Sequence, residues 1–482
     1  MEGDCPSCCV ALSCTWADDK RCARAQHNEY KLLVRMQDSI GGLVEGRSWL
    51  VMDRGRLRFC VIGAGTAGIA TARRVLEIEG AEVVIFERAE QVGGTWNYTD
   101  RVGKDRYGLD IHTSMYRGLR TNLPKEVMGF PDFPIPEQAQ SYIPSEDILS
   151  FLKLYADTFG VTELVRFEHH VELVDRVEGE WKVRVKNLPS GEVMNYWFDF
   201  VFVCNGHYHT PAMPSYPNKE VFKGLQLHSH DYRSSEKFKD ESVLVVGSGP
   251  SGMDLALEIS KHAARVTMSH HTKEPFKTIF PANLTQKPDV QELTSTGARF
   301  ADGSEDHFTV ILYCTGYRYS FPFLGSSCGI TVQDNYVQPL YKHCVNINQP
   351  SMAFIGLPYY VCAGQMFDLQ ARFCLRYYSG QLDLPGAEAM REDTRLRMEQ
   401  RWSCGFRTRQ AHMMGPAQGE YYEDLQRTAG LPDGIKPVMT KLHNESSQRF
   451  NDDLLGFRRD VFRIVDDEHF EEVVEVGEDR EM

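Results

Sequence analysis

One pattern, occurring twice, constrains this chain more than any other feature: an apolar strand, a Gly-x-Gly-x-x-Gly loop, a helix and a second strand. In the first copy the strand Phe59–Ile62 runs into Gly63-Ala64-Gly65-Thr66-Ala67-Gly68. A helix is expected from there to Glu79, with Ile69, Ala72 and Leu76 on one side and Arg73, Arg74 and Glu77 elsewhere. Gly80 reads as its C-terminal cap, and Glu82–Phe86 as the next strand, ending at Glu87. In the second copy Ser242–Val246 is the strand, Gly247-Ser248-Gly249-Pro250-Ser251-Gly252 the loop, Met253–His262 the helix and Arg265–Ser269 the second strand. A strand that feeds a helix and returns to a strand is the unit of a parallel sheet. The chain is therefore of the α/β class, with two Rossmann-like dinucleotide-binding domains. Between them, Val171–Val203 reads as strands, since Trp181-Lys182-Val183-Arg184-Val185 alternates with period two.

Each loop position has a physical job. Gly63 permits the tight turn, Gly65 lets the backbone approach a pyrophosphate, and Gly68 lets helix and strand pack closely, with Ala64, Thr66 and Ala67 completing the cradle. The helix N-terminus adds free N–H groups and the positive end of its dipole. Glu87 stands where a carboxylate would accept hydrogen bonds from a ribose diol. The bland alternative is a glycine turn that binds nothing; strand, helix and acid together weigh against it. In the second copy Gly247, Gly249, Pro250, Ser251 and Gly252 repeat the cradle, but no acid follows. Ser269, His270, His271 and Lys273 stand in its place. A carboxylate there would repel a 2′-phosphate, whereas a hydroxyl, imidazoles and an ammonium would hold one; the competing account is plain exposed loop residues. The first site, followed by Gly93-Gly94-Thr95-Trp96, suits FAD, and the second NADPH. With both bound, hydride passes to the flavin and the electrons go onward.

Composition narrows where they go. The 482 residues suffice for several domains at roughly 100–200 residues each. With 53 basic against 67 acidic residues, a net charge of −14, the surface repels phosphate backbones, which argues against nucleic acid as a partner. No run of about 18 apolar residues occurs, so no transmembrane anchor is expected and a cytoplasmic location is the default. Of the 13 cysteines, Cys5, Cys8, Cys9, Cys14 and Cys22 crowd the N-terminus. Cys5 and Cys8 have a zinc-ligand spacing, but no second pair follows it, so no metal is expected and residues 1–57 read as a poorly ordered extension. Others, such as Cys60 and Cys204, sit in apolar runs like buried small hydrophobes. No Cys-x-x-Cys occurs after Cys22, which argues against disulfide reduction by the chain's own thiols and leaves open thiols of a partner protein or dioxygen as the acceptor.

Between the glycine loops, Phe222-Lys223-Gly224-Leu225-Gln226-Leu227-His228-Ser229-His230-Asp231-Tyr232-Arg233 fits the spacing FxGxxxHxxx[YF][KR]. Together with Tyr313-Cys314-Thr315-Gly316-Tyr317, Asn122–Met128 running on to Pro131-Asp132-Phe133-Pro134, and Asp368-Leu369-Gln370-Ala371-Arg372, these strings resemble the flavin-containing monooxygenases, in a form similar to that of insects. The likeness spans about residues 58–385. The resemblance implies a NADPH-binding domain, 208–320, inserted into a FAD-binding domain made of 58–207 and 321–482 with its tail. It implies that Thr95 and Trp96 line FAD, and that Thr121 and Asn122 face the nicotinamide and the flavin C4a region. Asn122 becomes the catalytic candidate, an amide that donates and accepts without titrating; by local sequence alone it is a turn residue. Phe222, Gly224 and His228 would belong to the linker between domains, and Arg233 would be a contact to a cofactor phosphate or a surface cation.

The implied reaction runs through an FAD C4a-hydroperoxide whose distal oxygen is taken by a soft nucleophile, a tertiary amine or sulfide, as in N-oxide formation in xenobiotic metabolism. A homodimer is compatible with it. The alternatives are a Baeyer–Villiger oxygenase, whose fingerprint would end in Trp where Tyr232-Arg233 stand, a side-chain N-hydroxylase, and a non-catalytic redox sensor holding FAD and NADPH.

Overall fold

The computed structural model describes residues 56–272 and 276–473. Most of the expected N-terminal extension, with Cys5 and Cys8, falls outside them, as does Lys273. In chain order the elements that position the site are β1 (Leu57–Ile62), α1 (Thr66–Leu76), β2 (Ala81–Phe86), α2 (Ser145–Thr158), β3 (Val165–Arg166), β4 (Phe200–Val203), β5 (Leu225–His228), β6 (Ser242–Val246), α3 (Pro250–Ser260), β7 (Arg265–Ser269), β8 (Leu284–Lys287), β9 (Val310–Tyr313), β10 (Leu340–Tyr341), β11 (Val345–Asn346), β12 (Met352–Phe354), α4 (Ala363–Tyr378), α5 (Ala387–Ser403), α6 (Gln418–Thr428) and α7 (Pro437–Asp452).

Two sheets organise the chain. The first has the order β10-β11-β12-β4-β1-β2-β3, and β1 runs parallel to both β2 and β4. The second has the order β8-β7-β6-β9-β5 and is parallel throughout. Every strand of the second sheet lies in sequence between β4 and β10, so the second unit is inserted into the first, as the fold class expected from sequence requires. Central parallel strands are covered on both faces and so carry unbroken apolar runs. Phe59 to Ile62 and Val243 to Val246 are all buried, each Phe, Val, Leu and Ile side chain among them worth about 1.5–3 kcal/mol.

The local boundaries have local causes. Helix α1 stops at Leu76, short of the expected Glu79, because the N–H groups of Glu77 and Ile78 close tighter turns onto Arg74 O and Val75 O. Gly80, at φ +74°, therefore serves the turn into β2 rather than capping the helix. Helix α3 starts earlier than expected, since Pro250 occupies its first turn, where its missing N–H costs nothing. The alternating segment forms an antiparallel sheet of His169–Val177, Glu180–Asn187 and Val193–Phe198, which turns Trp181, Val183 and Val185 inward onto Cys60, Ile62 and Phe86.

Helix α4 packs on α1 through buried charge as well as apolar contact. Asp368, wholly buried, accepts from Arg74 Nε at 2.5 Å and Arg372 Nε at 2.8 Å. The Asp368–Arg372 string is thus a clamp between helices. The C-terminal part packs on both cores. Helix α6 joins the first core through Tyr421, Tyr422 and Leu425. Leu442 and Phe450 of α7, with Leu454, Phe457 and Phe462, join Val243, Val245 and Met253 in the second.

Candidate functional site

At the first cradle, β1 leaves through Gly63 at φ +102°, where a Cβ would stand 2.7 Å from Cys204 O. A Cβ on Gly68 would lie 1.8 Å from Gly63 O, so the helix seats against the turn only without a side chain. A Cβ on Gly65, by contrast, would meet nothing nearer than the Cα of Gly94 at 3.5 Å. Gly93 N–H donates to Ala64 O at 3.0 Å, which lays the Gly93-Gly94-Thr95-Trp96 turn along the loop. Thr95 Oγ1 and Asn97 Oδ1 are buried there with no hydrogen-bond partner. Helix α1 has no side-chain cap and no acid in its first turn, so N–H groups of its first turn are open to an anion. Uncapped N–H groups, the unpaired Thr95 hydroxyl as a donor and the side-chain-free approach at Gly65 make a set that fits a dinucleotide pyrophosphate, while Asn97 Oδ1 can accept from a donor elsewhere on the dinucleotide.

Glu87 is buried at the end of β2. Its Oε2 accepts from Ala64 N–H at 2.7 Å and its Oε1 from Ala89 N–H at 2.8 Å. Burial raises its pKa, and the two backbone donors oppose that rise. Glu87 thus braces the loop, with lone pairs left on both oxygens.

The second cradle repeats the geometry. Gly247 sits at φ +107°, and a Cβ on Gly252 would stand 2.0 Å from Gly247 O. Around Gly249 a Cβ would meet nothing within 4 Å. Helix α3 opens at Pro250 and Ser251 without a side-chain cap. Two expectations fail here. Ser269 is buried, and its hydroxyl donates to Pro288 O at 2.8 Å, so it fastens β7 to its neighbour and does not face a 2′-phosphate. His271 and Thr272 are the exposed residues at that strand end, while His270 Nε2 lies 3.0 Å from Gln286 Oε1.

Arg233 is the other correction. It is 2% exposed, neither a surface cation nor a phosphate contact. Its Nε donates to Thr99 O, Nη1 to His230 O and Tyr232 O, and Nη2 to Arg101 O and Thr113 O, at 2.7–3.2 Å. These bonds engage all five guanidinium N–H groups. The rest of the fingerprint is packing too. A Cβ on Gly224 would collide with Thr309 O and the Phe222 ring. His228 Nδ1 accepts from His230 N–H at 3.1 Å, and burial pushes its pKa down to about 4, leaving a neutral ring.

Thr121 and Asn122, expected to act together, part company. Thr121 is 2% exposed; its backbone pairs with Ile143 O and its Oγ1 accepts from Ile143 N–H at 3.1 Å. It anchors the loop, and Asn122 beside it is exposed. Sequence reading passed over His112, His207, Tyr208 and His209. The His112 and His209 rings stack at 4.9 Å, and Tyr208 meets Tyr317 edge-on at 5.5 Å where the chain crosses between the two sheets. Burial lowers the pKa of His207 and of His209 to about 4, so both offer neutral rings. The only signal in the sequence was the run His207-Tyr208-His209 placed between the units.

Comparison with known proteins agrees with this geometry. A family model described as flavin-binding monooxygenase-like matches residues 56–275 and 272–444. The chain is 34% identical over 420 residues to a senecionine N-oxygenase of Tyria jacobaeae, covering 86% of this chain and 91% of that protein. It is 38% identical over 383 residues to the flavin-containing monooxygenase FMO GS-OX-like 2 of Arabidopsis thaliana, covering 75% and 82%. Among solved structures, S-allyl-L-cysteine S-oxygenase from Allium sativum superposes with a TM-score of 0.78 at 33% identity, covering 83% of this chain and 94% of that one.

Proposed function

Because the chain belongs to the flavin-binding monooxygenase-like family, and is an NADPH-dependent flavoprotein monooxygenase using FAD and NADPH, we propose that it oxygenates soft nucleophilic nitrogen or sulfur atoms of small molecules. The observation that carries the proposal is the pair of uncapped glycine cradles on two interleaved parallel sheets, each shaped so that only a side-chain-free backbone fits. The N-oxygenase and S-oxygenase relatives support nitrogen and sulfur as targets.

FAD would be held by Gly63, Ala64, Gly65, Thr66, Ala67 and Gly68, with Glu87 on its ribose and Thr95 and Trp96 alongside. NADPH would be held by Gly247, Gly249, Pro250, Ser251 and Gly252, with His271 and Thr272 toward its 2′-phosphate. When bound, FAD supplies hydride acceptance and dioxygen activation. The chain's own part is to orient the reactants, exclude water and present hydrogen bonds. Asn122 donates and accepts through an amide whose charge does not change with pH. The neutral rings of His207 and His209 add no charge that would draw water into the site. Among the described residues no helix is long and apolar enough to cross a membrane. A cytoplasmic location goes with the proposal, supported by cysteines that are free throughout the described residues.

The test is to mix the purified protein with NADPH in air and a thioether or tertiary amine. One molecule of sulfoxide or N-oxide per NADPH is expected, and NADPH consumption that yields only hydrogen peroxide refutes the proposal. A ketone panel, and lysine with ornithine, separate the Baeyer–Villiger and N-hydroxylase alternatives.

A further inference from the structure

We propose that Arg458, in the C-terminal segment, is a positioning residue for oxygenation, tying the backbone of the Asn122 loop to helix α3 of the second nucleotide unit. This assignment rests on the role proposed for Asn122. Arg458 Nε donates to Thr121 O at 3.1 Å and Nη2 to Arg120 O at 3.4 Å, the two carbonyls that precede Asn122. Nη1 donates to Asp254 Oδ1 at 2.8 Å. The other oxygen of Asp254 accepts from the Tyr116 hydroxyl. One carboxylate on α3 and one guanidinium therefore hold the stretch 116–121 at both of its ends.

The neighbourhood keeps Arg458 in place. Phe457 packs edge-on against Tyr142 at 5.0 Å, and Phe462 N–H donates to Ser141 Oγ at 2.8 Å. Ser141, Tyr142 and Ile143 form the chain segment against which Thr121 is pinned. The Arg458 and Asp254 side chains are only 21% and 12% exposed, so solvent screens the pair weakly. A guanidinium is a rigid planar fork that reaches three acceptors at once, which an ammonium does not reproduce. Helix α3 carries the Gly247–Gly252 cradle at its N-terminus. Asn122 is thereby referenced to the helix that carries the second cradle as well as to the 141–143 segment. Reacting groups tolerate little error in such a distance: misplacement by about 1 Å costs on the order of 10²-fold in rate.

The experiment uses the full-length FAD-loaded protein and four variants: Arg458→Gln, Arg458→Lys, Asn122→Ala and Arg449→Gln. The last breaks the Arg449–Asp460 pair, at 2.8 and 3.1 Å, in the same C-terminal segment, where Arg449 bonds Asp460 and not the 116–122 stretch. Arg458→Gln is expected to speed amide exchange in a peptide covering 117–123 by roughly tenfold or more without NADPH present, from the loss of charge-assisted bonds. It is also expected to lower product formed per NADPH several-fold, with peroxide making up the difference and FAD content unchanged. Arg458→Lys should fall between it and the wild type, and it carries the comparison should Arg458→Gln not fold. Arg449→Gln should leave both readouts at wild-type levels. Wild-type exchange and coupling in Arg458→Gln while Asn122→Ala is uncoupled overturns this inference alone, as do equal losses in Arg449→Gln. A fully coupled Asn122→Ala overturns the role of Asn122 and the inference with it.

Discussion

Adding one methyl group to a glycine of each cradle separates the two nucleotide sites. In Gly252→Ala the new Cβ would lie 2.0 Å from Gly247 O and 2.8 Å from Gly247 C, about 1.4 Å inside the 3.4 Å where ordinary contact begins. Both neighbours are backbone, so no side chain can swing away; the helix start must retreat from the turn by about 1 Å, at a cost on the order of 1–3 kcal/mol. Unfolding is not expected, because β6 and α3 remain packed through Val243, Val245 and Met253. What moves is the set of N–H groups that meets the pyrophosphate. Losing good geometry in a charge-assisted hydrogen bond there forfeits on the order of 1.5–3 kcal/mol, about 10–100-fold in affinity. The expected result is a KM for NADPH raised by roughly 10–100-fold with flavin content at wild-type level. Gly68→Ala puts its Cβ 1.8 Å from Gly63 O in the first cradle and should instead yield protein depleted of flavin. Flavin absorbance after desalting, and NADPH oxidation against concentration, read the two effects separately. Loss of flavin in Gly252→Ala with retention in Gly68→Ala would show that the cofactors were assigned to the wrong loops. An unchanged KM in Gly252→Ala would refute the steric reasoning itself.

Two further outcomes follow from buried polar groups. Ser269→Ala removes the bond to Pro288 O and is expected to cost about 1 kcal/mol of stability with the KM for NADPH unmoved; a rise in that KM without a fall in thermal midpoint would restore Ser269 to the phosphate site. Stability should also fall on mild acidification. Burial holds His443 at about 4, and burial reinforced by Arg401 holds His412 at about 3, against about 6.5 in an unfolded chain. Both are lowered, so the unfolded chain binds the extra protons: their contribution is complete above ~6.5 and is lost as pH falls toward about 4 for His443 and about 3 for His412. At pH ~5 each would cost on the order of 2 kcal/mol. Urea midpoints taken between pH ~7.5 and ~5 should drop, and the drop should shrink in His443→Gln; an equal slope in that variant counts against the assignment.

Much of the scaffold was legible because its determinants are local. The strands Ser242–Val246 and Arg265–Ser269 fall where the apolar runs placed them, and Gly63, Gly68, Gly247 and Gly252 do in space what their spacing implied. A tight turn followed by a helix packed on its own strand is encoded within a few residues, so a linear string suffices to specify it. The destinations of polar side chains were not encoded that way. Arg233 looked like a phosphate ligand until Thr99, Arg101 and Thr113, more than a hundred residues earlier, were seen to bring three of the five carbonyls that saturate it. Ser269 depends on Pro288, and the pairing of Arg458 with Thr121 joins positions 337 residues apart. A donor's role is set by whichever acceptor stands opposite it once the chain has closed, and that partner has no fixed offset in sequence. The amino-acid order thus determined two nucleotide cradles and the class of chemistry they serve. Which charges those cradles leave free, and which the fold consumes in holding itself together, was decided only when distant segments met.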